Sequence, residues 1–148
     1  MKKILLNLIL CCLAIFIFTT ACKEPIDYDK LPPESLIKNN IKETDLTAKV
    51  HVTFFQEADT IKTDAGKPGY IVYKIDATNV KCYKGDLKKQ ERFSYYETRE
   101  AGIPRPLLGG IYYISLKKND KGEYYVPDNG YAFLYERGMN ELYKKASQ

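Results

Sequence analysis

The chain has 148 residues, of which 45% are hydrophobic and 28% are charged, and its formal net charge is +4. This composition is typical of a globular protein and excludes a disordered one. Basic and acidic residues are interleaved, so no basic stretch predicts a nucleic-acid partner. The chain has no Trp but 13 Tyr. Because Tyr is enriched in strands, this excess favours a β-rich fold.

The first 21 residues have the three parts of a secretory signal. Lys2-Lys3 is a short basic region, residues 4–18 are an apolar run, and small residues precede Cys22. The alternative is a transmembrane anchor, which needs about 20 apolar residues, and this run is shorter. We expect cleavage after residue 21, which leaves 127 of the 148 residues, with 21 basic and 19 acidic side chains.

The segment Thr19-Thr20-Ala21-Cys22 resembles the lipobox of bacterial lipoproteins, with Thr19 where that motif usually has Leu. The resemblance implies that the Cys22 thiol is lipidated and that several acyl chains hold the protein stably in a membrane. Lys23-Glu24 resembles a signal that sends some Gram-negative lipoproteins to the cell surface; an ordinary solvated tether is the alternative. We predict an outer-membrane location, facing the periplasm or the cell surface.

The four cysteines do not predict a disulfide. Cys11 and Cys12 lie in the signal and Cys22 would be lipidated, so Cys82 is left alone. A lone Cys can be a nucleophile or form an intermolecular bridge. Its apolar and aromatic neighbours instead favour a small buried hydrophobic residue in a strand.

The remaining elements follow in chain order. Residues 22–45 contain three prolines and predict a tether, with one helical turn at 34–39. From Leu46 to Phe54, hydrophobic and polar residues alternate, which predicts a strand with one buried face. Turn residues separate further expected strands at 70–83 (with a bulge at 78–79), 92–98, 111–116, 123–126 and 131–135. Hydrophobic residues at helical spacing predict a short helix from Met139 to Ala146.

Six or so short strands predict a mainly all-β fold over residues 46–146. The expected architecture is a small OB-like closed barrel of five to six strands with a short C-terminal helix. A single closed sheet suits this length, because closure removes exposed strand edges that would otherwise aggregate.

Several segments of this region resemble the netrin-like modules related to tissue inhibitors of metalloproteinases. They are Ala48-Lys49-Val50, residues 70–75, the run from Val80 to Lys84-Gly85, and Gly109-Gly110-Ile111-Tyr112. The resemblance implies an OB-fold barrel with helices against it, and a binding module. It does not carry over metalloproteinase inhibition, because Cys22 would be acylated and Cys82 has no disulfide partner.

No catalytic or metal-binding constellation is present, so we expect neither an enzyme nor a cofactor. His51 is the only His, and its place on the polar side of the first strand predicts a solvent-facing ring. A zinc site needs three or four His, Cys or acidic ligands, and no loop has EF-hand spacing for calcium. We therefore predict no metal.

Two features have binding potential. Adjacent tyrosines in a strand point to opposite faces, so one ring of each Tyr-Tyr pair should lie outside the barrel and contact protein or sugar. Ordinary cross-strand packing is the alternative. The loop 98–106 is Pro-rich, exposed and apolar at its tip. The candidate surface consists of Tyr96, Tyr112, Tyr125, Arg99, Ile103 and Arg105.

The sequence thus predicts a lipid-anchored, non-enzymatic module that binds a protein of the envelope or outside the cell. A lipoprotein that binds a glycan or a small ligand through exposed tyrosines is the first alternative. A structural component of an envelope assembly is the second.

Overall fold

A computed structural model describes residues 26–148, so the predicted signal and the lipidation at Cys22 lie outside the described residues. A 3-10 turn, Tyr28–Lys30, precedes helix α1 (Glu34–Glu43). Six strands follow: β1 (Leu46–Lys62), β2 (Pro68–Lys84), β3 (Arg92–Glu100), β4 (Ile111–Lys118), β5 (Tyr124–Tyr125) and β6 (Ala132–Leu134). Helix α2 (Met139–Ala146) ends the chain. In this part of the protein, no helix has the length and hydrophobicity to cross a membrane.

Five strands form a ring in the order β1-β2-β3-β5-β4, which the pairing of β4 with β1 completes. All the pairings are antiparallel except that between β3 and β5. The predicted mainly β, OB-like barrel with a short C-terminal helix is therefore confirmed, but the barrel is not strictly closed. β5 joins β3 through two residue pairs and β4 through two more.

The barrel interior follows the alternation that the sequence predicted. Leu46, Ala48, Val50 and Val52 of β1 are fully buried. Beyond them the register shifts, since Val52 pairs with Ala77 but Phe54 pairs with the next residue, Asp76. One extra residue in a strand moves the following side chains to the other face. Phe54, predicted to be buried, is therefore 52% exposed.

A second apolar cluster lies on the outer face of β4. Tyr113 is fully buried there against Ile37 of α1 and against Met139 and Tyr143 of α2. Helix α1 has ten residues, and its buried Asn40 donates a hydrogen bond to the Gly130 carbonyl at 2.6 Å. The predicted helical turn at 34–39 is therefore confirmed but extends to Glu43, whereas the prediction of a tether is wrong over this segment, because the helix packs on the barrel.

Tyr95, Tyr113 and Tyr143 are among the fully buried tyrosines of these two clusters. Tyr95 lies in the barrel interior, whereas Tyr113 and Tyr143 pack together outside it with ring centroids 4.5 Å apart. Burial disfavours the charged phenolate, so desolvation raises the pKa of each of these tyrosines above its ordinary value. Nearby phenolic groups, above all Tyr83, raise the pKa of Tyr113 and Tyr143 further.

We expect the free energy of unfolding to fall as the pH rises above about 10, the ordinary pKa of Tyr. Unfolded tyrosines ionise there, whereas Tyr95, Tyr113 and Tyr143 stay protonated in the fold. A raised pKa of an acid contributes stability that is present below the unfolded pKa and lost above it. Ultraviolet titration of the phenolate absorbance should show a late class of tyrosines that ionises together with unfolding. A single class that titrates in the folded state would contradict this.

Candidate functional site

The incomplete ring leaves a cleft between β3 and residues 126–132. The Val126 amide donates a hydrogen bond to the Tyr96 carbonyl at 2.9 Å, and β3 then continues to Glu100. Two cavities lie along this cleft, and both are lined by Glu97, Asn129 and Ala132. We call the whole the β3 cleft. Its position follows from β5, because β5 pairs with β3 only at Tyr95 and Tyr96.

The first cavity, which we call the acidic cavity, has a volume of 330 Å³. Its wall includes two tyrosine rings, Tyr70 and Tyr125, and two carboxylates, Glu100 and Asp128. Tyr70 is 45% exposed. None of the described residues that line this cavity is basic. The acidic cavity thus offers aromatic side chains and negative charge to a ligand.

The second cavity, which we call the loop cavity, has a volume of 460 Å³. Ile103 and Leu107 from the β3–β4 loop line it together with Leu134 of β6. These three side chains are 46%, 55% and 47% exposed, respectively, and Leu108 beside them is 62% exposed. Monomeric soluble proteins rarely expose contiguous apolar patches without a functional reason. The loop cavity therefore has the character of a contact surface.

Glu97, which lines both cavities, forms an ion pair with Arg99, which lines the loop cavity. The Arg99 Nε lies 2.9 Å from the Glu97 Oε1, and the two side chains are only 16% and 11% exposed. Both face the barrel interior, because they lie two and four residues beyond the buried Tyr95 on β3 and therefore share its face. Burial alone would lower the pKa of Arg99, but its hydrogen bond to Glu97 and the charge of that carboxylate outweigh burial and raise the pKa.

The same guanidinium holds the β3–β4 loop in place. Arg99 Nη1 donates to the Pro104 carbonyl at 2.7 Å, and the Leu107 amide donates to the Tyr112 hydroxyl at 2.9 Å. Arg105 reaches across to Glu57, with 3.3 Å between Nη2 and Oε1. These contacts fix the loop with its aliphatic side chains turned outward.

Most of the predicted surface residues come together at the β3 cleft. The loop cavity is lined by Arg99, Ile103, Arg105 and Tyr112, and the acidic cavity by Tyr125. Tyr96 lines neither cavity, but it is half-exposed and pairs with Tyr125. Sequence reasoning missed Leu107 and Leu134, although the exposed Leu107-Leu108 pair next to a Pro-rich loop was a usable signal.

The prediction for Tyr112 is wrong. This side chain is 7% exposed and belongs to the barrel interior, and only its hydroxyl reaches the loop. Its neighbour Tyr113 points to the opposite face, as alternation requires, but α1 and α2 cover that face. Neither ring of this pair therefore lies on the surface. The Tyr95-Tyr96 pair does follow the prediction, with Tyr95 buried and Tyr96 half-exposed.

His51 and Cys82 lie outside the two cavities. His51 is exposed, as predicted. Cys82 is a half-buried strand residue that packs against the barrel interior, and its thiol donates to the Lys84 carbonyl at 3.1 Å. Desolvation raises the pKa of this thiol. Among residues 26–148, no group of three or more His, Cys, Asp or Glu side chains is arranged to hold a metal ion.

No protein-family model matches the chain, and no curated protein matches it significantly. The function must therefore be inferred from the β3 cleft itself.

We expect Glu97→Gln to lower the free energy of unfolding by about 2–4 kcal/mol, because it leaves the largely buried Arg99 without its counter-ion. The double variant Glu97→Gln/Arg99→Met should lose less than the sum of the two single variants, since no unpaired charge remains. Urea unfolding of the three variants measures this coupling.

Arg105→Gln provides the matched control, because the Arg105–Glu57 pair is far more exposed, at 70% and 45%. An exposed pair contributes at most about 1 kcal/mol. Strictly additive losses at Glu97 and Arg99 would show that the buried pair has no stabilising role.

Proposed function

We propose that this protein is a lipid-anchored envelope lipoprotein that acts as a non-enzymatic protein-binding module, with the β3 cleft as its binding site. The observation that carries the proposal is the group of exposed aliphatic side chains, Ile103, Leu107 and Leu134, around the loop cavity. Hydrogen bonds hold this patch in place. A preorganised apolar surface loses little conformational entropy on binding, which favours a protein partner.

The signal-like N-terminus and the resemblance of residues 19–22 to a lipobox support the anchoring part of the proposal. The lipid on Cys22 would bind the outer membrane, with the barrel on the periplasmic or the cell-surface side. Ile26 already packs near Gly138 at the start of α2. Four residues of extended chain span at most about 14 Å. The barrel would therefore stay close to the bilayer, and its partner would have to be found there.

A non-enzymatic role is supported by the chemistry of the cleft. Its one largely buried carboxylate, Glu97, is engaged by Arg99. His and Cys are the residue types that most often act as a catalytic base or nucleophile, and His51 and Cys82 line neither cavity. We therefore propose a function in binding, without a cofactor and without nucleic acid.

A second candidate function is the binding of a glycan or small ligand. The acidic cavity favours it, because Tyr70 and Tyr125 line it together with Glu100 and Asp128. Amphipathic rings next to hydrogen-bond acceptors suit a sugar as well as a protein.

We expect the Cys22→Ser variant of the full-length chain to incorporate no fatty acid, because the acyl chains that anchor the protein are attached to that thiol. Metabolic labelling with a fatty acid measures this directly. Cys82→Ser is the control and should be labelled like the wild type. Equal labelling of Cys22→Ser and the wild type, or labelling of neither, would contradict the lipoprotein assignment.

We expect in-cell cross-linking of the anchored protein, followed by affinity capture and mass spectrometry, to recover one partner in near-equal amount. Ile103→Asp should abolish its recovery, because a charge in the loop cavity is desolvated on binding. Ile61→Asp is the matched control, since Ile61 is similarly exposed at 48% but lines neither cavity.

Equal recovery with Ile103→Asp and wild type would contradict the proposed site. Recovery of no protein, together with a sugar ligand whose binding Tyr125→Ala removes and loop substitutions tolerate, would favour the second candidate function.

A further inference from the structure

We propose that the partner inserts an extended segment into the β3 cleft, pairs it with the free edge of β3, and presents alternating apolar and basic side chains. This inference rests on the proposed protein-binding function and specifies the chemistry of the partner.

The free edge follows from the hydrogen bonds of β3. Tyr96 directs its carbonyl to Val126, on the β5 side, whereas the Ala101 amide donates to Gly69 on the β2 side. Successive residues of a strand alternate between the two sides, so the backbone groups of Thr98 and Glu100 face the cleft. The Glu100 carbonyl accepts a hydrogen bond from a loop amide. No strand in the described part of the chain pairs with β3 on this side beyond Tyr96.

This edge is better suited to a partner strand than the other long edge of the sheet. β1 pairs with β4 only as far as His51, and Val52 still bonds to Gly109 and Gly110, so the residues after Val52 also form a free edge. Register shifts interrupt the β1–β2 ladder on both sides of Phe55–Glu57, and such bulges blunt an edge against added strands. The β2–β3 ladder, in contrast, runs from Arg92 to Glu100 without a shift. A regular free edge is the template for β-strand addition.

The loop cavity determines the inward side chains of the bound segment. A strand beside β3 points alternate residues into and away from the barrel. The inward residues meet Ile103, Leu107 and Leu134. The only charges among the lining residues of this cavity belong to the Glu97–Arg99 pair and to Arg105, which is paired with Glu57. Apolar inward side chains therefore fit best.

The acidic cavity determines the outward side chains. Glu100 and Asp128 carry negative charge there, and Arg99 neutralises the nearby Glu97. The rings of Tyr70 and Tyr125 complete the wall. Carboxylates attract a cation, and aromatic faces bind it further through cation–π contacts. Outward Arg or Lys side chains are therefore accepted, and outward acidic side chains are repelled.

The test uses the complete mature chain, residues 22–148, with Cys22→Ser so that no detergent is needed. Two blocked hexapeptides are titrated by calorimetry, Thr-Val-Arg-Val-Arg-Thr and Thr-Val-Glu-Val-Glu-Thr. The arginine peptide should bind at least about tenfold more tightly than the glutamate peptide, because the charge complementarity is reversed. Two further versions of the arginine peptide carry N-methyl groups on alternate backbone amides, one on the first set and the other on the second set. One of these two peptides should not bind, because its methylated amides are those that pair with β3.

Glu100→Gln and Asp128→Asn should each weaken binding of the arginine peptide about fivefold. Asp120→Asn, an exposed acid in the β4–β5 turn, is the matched control and should leave binding unchanged. Thr98→Pro removes a cleft-facing amide but no bond to β2 and should abolish binding. Circular dichroism verifies that each variant is folded, and if Thr98→Pro does not fold, the N-methylated peptides test the same bond.

Equal affinity for the two peptides, binding of neither, or full binding by both N-methylated peptides would overturn the inference. So would capture of the cellular partner that depends on Ile103 but not on Glu100, Asp128 or the Thr98 amide. In that last case, the proposed protein-binding function would stand and only the strand pairing would fall.

Discussion

The shortness of β5 is the constraint on which the rest of the cleft depends. β5 has only two residues, Tyr124 and Tyr125, and one further backbone bond joins Val126 to β3. The chain then turns away at Asp128–Gly130, whereas β3 continues to Glu100 with a strand, β2, on one side only. The gap, its two cavities and the free strand edge all follow from this early termination.

The barrel was largely predictable, because period-two alternation is a local signal and holds from Leu46 to Val52. The predictions that were wrong concern features that depend on contacts between residues distant in the sequence. The register shift after Val52 is set by the pairing of β1 with β2, so Phe54 could not be placed from its own strand. Helix α1 lies after two prolines that favoured a tether, and its burial depends on α2, about a hundred residues later in the chain.

The candidate site was predictable only in part, for a similar reason. The loop residues Arg99, Ile103 and Arg105 share one Pro-rich segment, and that segment was recognisable as an exposed turn. Leu134 reaches the loop cavity because β6 pairs with β4, Leu134 facing Tyr112. Tyr70 reaches the acidic cavity because β2 pairs with the end of β3. Tyr112 was placed wrongly because alternation shows only that Tyr112 and Tyr113 point to opposite faces of β4, and not which of them points inward. Tyr112 is the inward one, and the two helices cover Tyr113 on the outer face.

The unequal pairing of β3 also has a mechanical consequence. On one side, β3 is joined to β2 by nine residue pairs, and on the other it is joined to β5 by two. A partner seated on the free edge at Thr98–Glu100 would transmit any tension into β3 and then, through the long ladder, into β2 and β1. The short β5 junction would lie outside this load path. With the proposed lipid anchor at Cys22, a module built in this way could be pulled by its partner while the shortest strand pairing of its barrel carries little of the force.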